Sequence, residues 1–255
     1  MDMQAFAIPD LPEIGPGDDL AAMVSERADL IDGDVVLVAS TVVSKAEGRA
    51  AHLADYEPGS RAVEVADRLE TATEESVDPR FVQAVLEEAR ALVMTEPFIL
   101  AVTDGGHVGV NAGIDRSNTG GADLLLLPED PHASADRIRE TLDPDVAVIV
   151  TDTSGRPFRI GQRGVAIGWS GMPATRDWRG ETDRDGRELE ATVEAVVDEL
   201  AATANLLTGE ADGGTPVAVV RGFDGGSIDG SDTLFRDPET DFVRQALQGW
   251  SYAGH

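Results

Sequence analysis

Val146-Ala147-Val148-Ile149-Val150-Thr151-Asp152-Thr153-Ser154-Gly155-Arg156 is the stretch whose pattern sets the fold class. Five apolar residues in succession leave no polar face, as in a strand buried on both sides. Polarity then returns at once, so the strand carries a carboxylate and several hydroxyls to its own end. A second block, Val35-Val36-Leu37-Val38, is built the same way and continues through Ala39 to Ser40 and Thr41, so that Val35 to Thr41 suits a strand buried on both faces. Blocks of this kind, separated by turn residues, need cover on both faces and imply a layered α/β protein. A regular strand-helix alternation is missing, so we expect a mixed α+β arrangement rather than a simple doubly wound sheet.

Working outward, Asp18 or Asp19 can cap a helix that runs through Leu20, Met23 and Val24 toward Leu30. Ser60 to Thr73 reads as a second helix, and Asp78 followed by Pro79 opens a third, with Phe81, Val82, Val85 and Leu86 on one face. Phe98 to Thr103 and His107 to Asn111 flank an Asp104-Gly105 turn and predict a hairpin. Val165 to Trp169 suits another strand. Asp185 with Glu188 resembles a capping box, and Leu189, Val193, Val196, Leu200, Ala204 and Leu207 fall on one face of a long helix that Gly209 would end. Pro216 to Val220 predicts the last strand, and Asp237-Pro238 the start of a helix bearing Phe242, Val243 and Ala246. Gly222 to Ser231 reads as a Gly- and Asp-rich loop.

Charge narrows the function. The chain has 255 residues, 48 acids against 20 bases, and a net charge of -28. Such a surface repels nucleic acid, and at low salt it repels itself. Lys45 is the only lysine; every other basic residue is arginine. A halophilic cytoplasm is the reading this favours over an ordinary acidic protein. Cysteine is absent, which removes disulfides, thiolate metal sites and thiol nucleophiles. Met1 to Gly15 lacks a basic start followed by an apolar run, and no apolar stretch approaches the roughly 20 residues that span a bilayer, so we expect a cytoplasmic protein with no membrane partner.

In so acidic a chain most carboxylates solvate the surface, and context must select the working ones. Four segments stand out. Ser40-Thr41-Val42-Val43-Ser44-Lys45-Ala46-Glu47-Gly48 sets hydroxyls and one ammonium directly after a buried strand, a chemistry that suits phosphate oxygens. An ordinary polar loop is the alternative. Asn111-Ala112-Gly113-Ile114-Asp115-Arg116-Ser117-Asn118 and Thr151-Asp152-Thr153-Ser154 offer carboxylates beside hydroxyls at strand ends, suited equally to Mg²⁺ or Mn²⁺ and to turn formation. Thr208-Gly209-Glu210-Ala211-Asp212-Gly213-Gly214-Thr215 follows the long helix, with glycines that admit close backbone approach and an acid that favours a cation at a helix exit. Neither GxxxxGK[ST] nor a GxGxxG after a strand occurs. The histidines His52, His107, His132 and His255 have no HExxH spacing, and nothing resembles a GxSxG elbow.

These segments, in order and spacing, resemble the F420-0:γ-glutamyl ligase family. The resemblance runs from about Leu11 to Gly222 and extends through Gly155-Arg156, Phe158-Arg159, Gly164, Ala166-Ile167-Gly168, Ser170-Gly171, Gly186-Arg187-Glu188-Leu189 and Ala204-Asn205-Leu206-Leu207. It implies an intertwined mixed-sheet α+β ligase fold over residues 1–255, with two interleaved lobes and the active site between them, and a less diagnostic region from 223 to 255. Some relatives carry an added flavin-binding-type domain, for which a chain ending at His255 has no room. The implied activity is GTP-dependent addition of L-glutamate to coenzyme F420-0, then of a second, γ-linked glutamate, with Mg²⁺ or Mn²⁺ (two ions), K⁺, and a homodimer as the working form. Carried over by motif, Asp115, Asp152, Thr153 and Glu210 would bind metal. Leu11, Pro12, Glu13, Ile14, Ser40, Thr41, Lys45, Asn118, Thr208, Gly209, Glu210, Ala211, Asp212, Gly213, Gly214 and Thr215 would contact GTP, with Lys45, Asp115 and Asp152 closest to the chemistry. A metal-dependent phosphatase or nucleotide hydrolase would use the same carboxylates with water as acceptor, and an acidic binding protein would turn over no nucleotide.

Overall fold

The computed structural model describes residues 2–210, 214–224 and 230–250. In chain order the elements are β1 (Gln4–Ala7), α1 (Leu20–Ser25), β2 (Val35–Ala39), α2 (Ser40–Ala46), β3 (Ala50–Ala51), α3 (Ser60–Thr73), α4 (Pro79–Glu88), β4 (Ala91–Met94), β5 (Leu100–Val102) and β6 (Val108–Val110). There follow β7 (Leu124–Leu125), α5 (Pro131–Thr141), β8 (Ala147–Arg156), β9 (Arg159–Ser170), β10 (Arg176–Asp177), β11 (Val193–Glu194), α6 (Val196–Thr208), β12 (Val217–Arg221) and α7 (Phe242–Gln248). The architecture is mixed α+β with several sheets, as the apolar blocks and missing alternation imply. Two compact units are each assembled from two stretches of chain: 1–46 with 130–234, and 47–129 with 235–255.

The first unit is built on a five-stranded sheet in the order β1-β12-β2-β8-β9. Only β2 and β8 run parallel, with Val35 opposite Ala147 and Ala39 opposite Thr151. Val35 to Val38, Val148 to Val150 and Val217 to Val220 are all buried, so the central strands lose both faces to helices, and an uninterrupted apolar run is the sequence such strands need. Where the helices come close, glycine stands in the sheet. A Cβ on Gly164 would lie 2.3 Å from the Ala201 carbonyl oxygen of α6, and one on Gly168 would lie 2.3 Å from the Pro131 carbonyl of α5.

Gly164 and Gly168 share parity along the strand yet meet different helices. The register explains this: Val150 pairs with Gly168 but Thr151 pairs with Ala166, so Ile167 is an extra residue that reverses the facing of everything beyond it. Thr153, opposite Gly164, therefore faces α6. Asp152, opposite Val165, faces the other way.

The second unit packs α3 and α4 against the antiparallel sheet β4-β5-β6. Ala62, Val65, Ala66 and Leu69 of α3 and Phe81, Val82 and Val85 of α4 join Ile99, Ala101 and Leu124 in its core. Helix α3 spans Ser60 to Thr73, and Asp78 caps α4 by accepting the Arg80 N–H at 2.9 Å ahead of Pro79. The hairpin closes as expected, the Thr103 N–H donating to the His107 carbonyl at 2.9 Å.

Several expectations are corrected. The strand expected to reach Thr41 stops at Ala39, and Ser40 to Ala46 is a helix rather than strand end or loop: the apolar residues Val42 and Val43 turn inward, and Ser44 and Lys45 are buried with them. The long helix starts at Val196 rather than Asp185. Asp183 accepts the Asp185 and Arg187 N–H groups at 2.9 and 2.8 Å, and Gly186 sits at φ 81, so a turn outcompetes the capping box and leaves Leu189 off any helix and Val193 on β11. Helix α1 is capped by Asp19, the Ala22 N–H donating to it at 3.0 Å, but ends at Ser25, short of Leu30. Asp241 caps α7, accepting the Val243 and Arg244 N–H groups, while Asp237 organises only the preceding turn. Both strand predictions in the β8–β9 ribbon are too short, because its outer half, part-buried along β8 and exposed along β9, has no continuous apolar run. Strand β1 and helix α5, absent from the expectations, complete the first unit. Of the predicted loop from Gly222 to Ser231, residues 225–229 lie outside the described residues.

Candidate active site

The first unit carries most of the singled-out residues, and Ser40 and Asp152 among them meet where the parallel pairing of β2 and β8 stops at Ala39 and Thr151. Chain leaving β2 turns at once into α2, which holds Ser40 at the mouth of the parallel pair, and the Ser40 hydroxyl donates to Asp152 Oδ1 at 3.3 Å. Thr41 is half-buried one residue further on. In the second turn of α2 the ammonium of Lys45 donates to Glu13 Oε1 at 2.6 Å, from a side chain only 8% exposed to a carboxylate 77% exposed. Glu13 lies in Leu11 to Ile14, a stretch held by burial of Ile14, by Arg27 Nε donating to the Asp10 carbonyl at 3.1 Å, and by the Gly17 N–H donating to the Ala46 carbonyl at 2.8 Å.

Across β8 the second polar group forms. Thr153 donates its hydroxyl to Glu210 Oε1 at 2.9 Å, and the Asn205 side-chain amide, one turn before the end of α6, donates to the same oxygen. Gly209 terminates α6 at φ 69, which turns the chain so that Glu210 points back toward Thr153. Asp152 and Thr153, neighbours in sequence, thus serve opposite faces of the ribbon. In the sequence Asn205 stands only within the Ala204-Asn205-Leu206-Leu207 stretch of the family resemblance, with no role assigned, because an uncharged amide on a helix carries no chemical signal until Glu210 is seen to face it. Thr215 donates to the Thr208 carbonyl at 3.4 Å, closing the loop between them, whereas Ala211, Asp212 and Gly213 lie outside the described residues.

Asp115 and Asn118 belong to the second unit. The Asp115 backbone bridges to Leu125, and its Oδ1 accepts from both the N–H and the hydroxyl of Ser117, at 2.7 and 2.8 Å. Asn111 and Ala112 stand just before it at φ 53 and 55, a left-handed pair that costs energy for residues with a Cβ, and Asn118 follows at φ 49. Among the described residues no three His, Asp or Glu side chains form a metal cluster by themselves. The available donors are all oxygens, which suits a hard cation; Mg²⁺ typically takes one or two carboxylates and completes its shell with water and phosphate oxygens.

Fold and site define a class: a mixed α+β protein with hydroxyls and a carboxylate where a parallel strand pair stops, near which open sheets bind small ligands, and with a buried ammonium on the helix that follows. Comparison with known proteins gives the particular family. The family described as F420-0:Gamma-glutamyl ligase matches residues 10–222, and the chain belongs to it. It is 69% identical over 252 residues to the "Coenzyme F420:L-glutamate ligase" of Halobacterium salinarum, covering 99% of this chain and 100% of that one. The proteins of the same name from Natronomonas pharaonis and Archaeoglobus fulgidus are 64% and 46% identical, over 99% and 97% of this chain and 99% of each of theirs. No helix among the described residues is long and apolar enough to cross a membrane.

Proposed function

We propose that this chain forms the amide between L-glutamate and the terminal carboxylate of coenzyme F420-0 in coenzyme F420 biosynthesis, adds a second glutamate in γ-linkage, and drives both steps with GTP. Family membership and the shared name of its relatives support the ligation. The observation that carries the nucleotide half is the single turn of chain after β2, which sets Ser40 on Asp152 just past the last parallel pair of β2 and β8 and buries Lys45 on the same helix.

A carboxylate does not react with an amine at neutral pH until it carries a leaving group. In this reading an oxygen of the F420-0 carboxylate attacks the γ-phosphorus of GTP, the bond to the β-phosphate oxygen breaks, and the glutamate amine then displaces phosphate from the acyl carbon. Lys45, as a compact ammonium, neutralises phosphate charge. Ser40, Thr41, Asn118, Leu11 to Ile14 and the loop from Thr208 to Thr215 orient the nucleotide, since phosphoryl transfer depends on positioning and electrostatics. Asp115, Asp152, Thr153 and Glu210 would hold Mg²⁺ or Mn²⁺, which when bound supplies charge stabilisation to the transferring group. A homodimer is the working form in this reading; Phe158 and Ile160, fully exposed on the β8–β9 ribbon beside Arg156 and Arg159, support an added protein surface there.

The test is incubation with F420-0, glutamate, GTP and Mn²⁺ in molar KCl, read by mass spectrometry and by GDP release. We expect products heavier by one and two glutamates, with GDP release that needs glutamate. GDP released at the same rate without glutamate would replace the ligase with a nucleotide hydrolase.

A further inference from the structure

We propose that the Glu13 carboxylate competes with phosphate for Lys45: it holds the ammonium until a nucleoside triphosphate arrives and is then displaced by a phosphate oxygen. The inference rests on the nucleotide reading of the site. The asymmetry of the pair is what suggests it. Lys45 is fixed, its side chain 8% exposed on a helix packed against β2 and β8, whereas the Glu13 side chain is 77% exposed. A buried ammonium needs an anionic or polar partner at all times, while an exposed carboxylate that lets go regains water. The exchange therefore costs the glutamate little.

The chemistry of the two partners is interchangeable. An ammonium offers donors and no acceptor, and one of its donors meets an anionic oxygen of Glu13 at 2.6 Å, which a phosphate supplies equally well. The backbone around Glu13 need not move. Ile14 is buried, Asp10 is tied to Arg27 and Gly17 to Ala46, so side-chain rotation at Glu13 withdraws its carboxylate from the ammonium with the backbone in place. Lys45 is thereby kept paired and oriented before the nucleotide binds. The cost is a fixed tax on affinity.

Because Lys45 is the sole lysine, an amine-acylating reagent has one side-chain target, with the N-terminal amine as internal reference. Protection of Lys45 is titrated with GTP in molar KCl by mass spectrometry, on the full chain and on Glu13→Gln, alongside steady-state kinetics. Glu13→Gln is expected to shift the half-protecting GTP concentration down about two- to fivefold, the factor that a surface ion pair commands, and to lower the KM for GTP in parallel. An unchanged half-point, weaker protection, or a fall in kcat with KM unmoved would overturn the proposal and make Glu13 a fixed partner that positions Lys45. Absence of GTP protection in the unmutated chain would overturn the nucleotide reading itself.

Discussion

Asp34 is 1% exposed and bonded twice by Arg221, at 2.9 and 2.7 Å, in a chain where almost every other acid faces water. It also accepts the Ile31 N–H at 3.0 Å, so both of its oxygens are committed. The pair joins the entry of β2 to the exit of β12 and steadies the strand that delivers Ser40 and Thr41. Arg221→Met would strand a buried carboxylate, and its unfolding midpoint should fall by roughly 6 °C or more in molar KCl. Arg68→Met, which breaks only the exposed pair with Glu64, should stay within about 2 °C of the unmutated chain. Equal effects in thermal melts would refute the distinction. Nothing in the sequence marks Asp34, because among 48 acids one more carboxylate beside a strand reads as surface. Lys45 was legible for the opposite reason: a residue type used once is conspicuous.

At the scale of elements, the β8–β9 ribbon organises the site, and its bulge at Ile167 lets one strand accept α6 against Gly164 and α5 against Gly168. Gly168→Ala would drive a methyl group into the Pro131 backbone, which cannot yield as a flexible side chain would. The variant should lose about 1–3 kcal/mol or more of stability in chemical denaturation. Gly155→Ala, where a Cβ meets nothing within 4 Å, should be close to neutral. A harmless Gly168→Ala would mean that α5 does not pack as described. The apolar cores of β2, β8 and β12 could be read from sequence because burial on both faces demands an uninterrupted run. The bulge could not, since Gly164 to Ser170 reads as plain strand whichever way its residues face.

For the whole molecule the dominant quantity is a net charge of -28, which opposes compaction and which salt screens. The Debye length falls from about 10 Å at 0.1 M to about 3 Å at 1 M, so molar salt removes most repulsion between exposed acids while leaving the buried cores intact. The melting temperature should rise between 0.1 and 3 M, alike in NaCl and KCl. Ligation should instead favour KCl at equal ionic strength if potassium also acts as a specific ligand. A melting temperature that is flat or falls in NaCl would refute the screening account; equal rates in the two salts would remove only the specific potassium effect. Sequence similarity to proteins of Halobacterium and Natronomonas agrees with the acidic composition.

By itself the sequence determined the apolar strands, the helix cap at Asp78 and a first cap at Asp18 or Asp19, the charge, and the family, because each depends on local pattern or on composition. Only the structure showed that the polar stretch after β2 is a helix that buries Lys45, that the acid-rich segment from Asp183 to Glu188 turns rather than caps, and that Asp152 and Thr153 part to opposite faces. The turn at Asp183 is itself local, one carboxylate competing for N–H groups two and four residues on. The other outcomes depend on which distant group lies opposite: Glu13 for Lys45, Ser40 for Asp152, Glu210 for Thr153. Contacts between residues 32, 112 and 57 positions apart leave no local pattern in the chain.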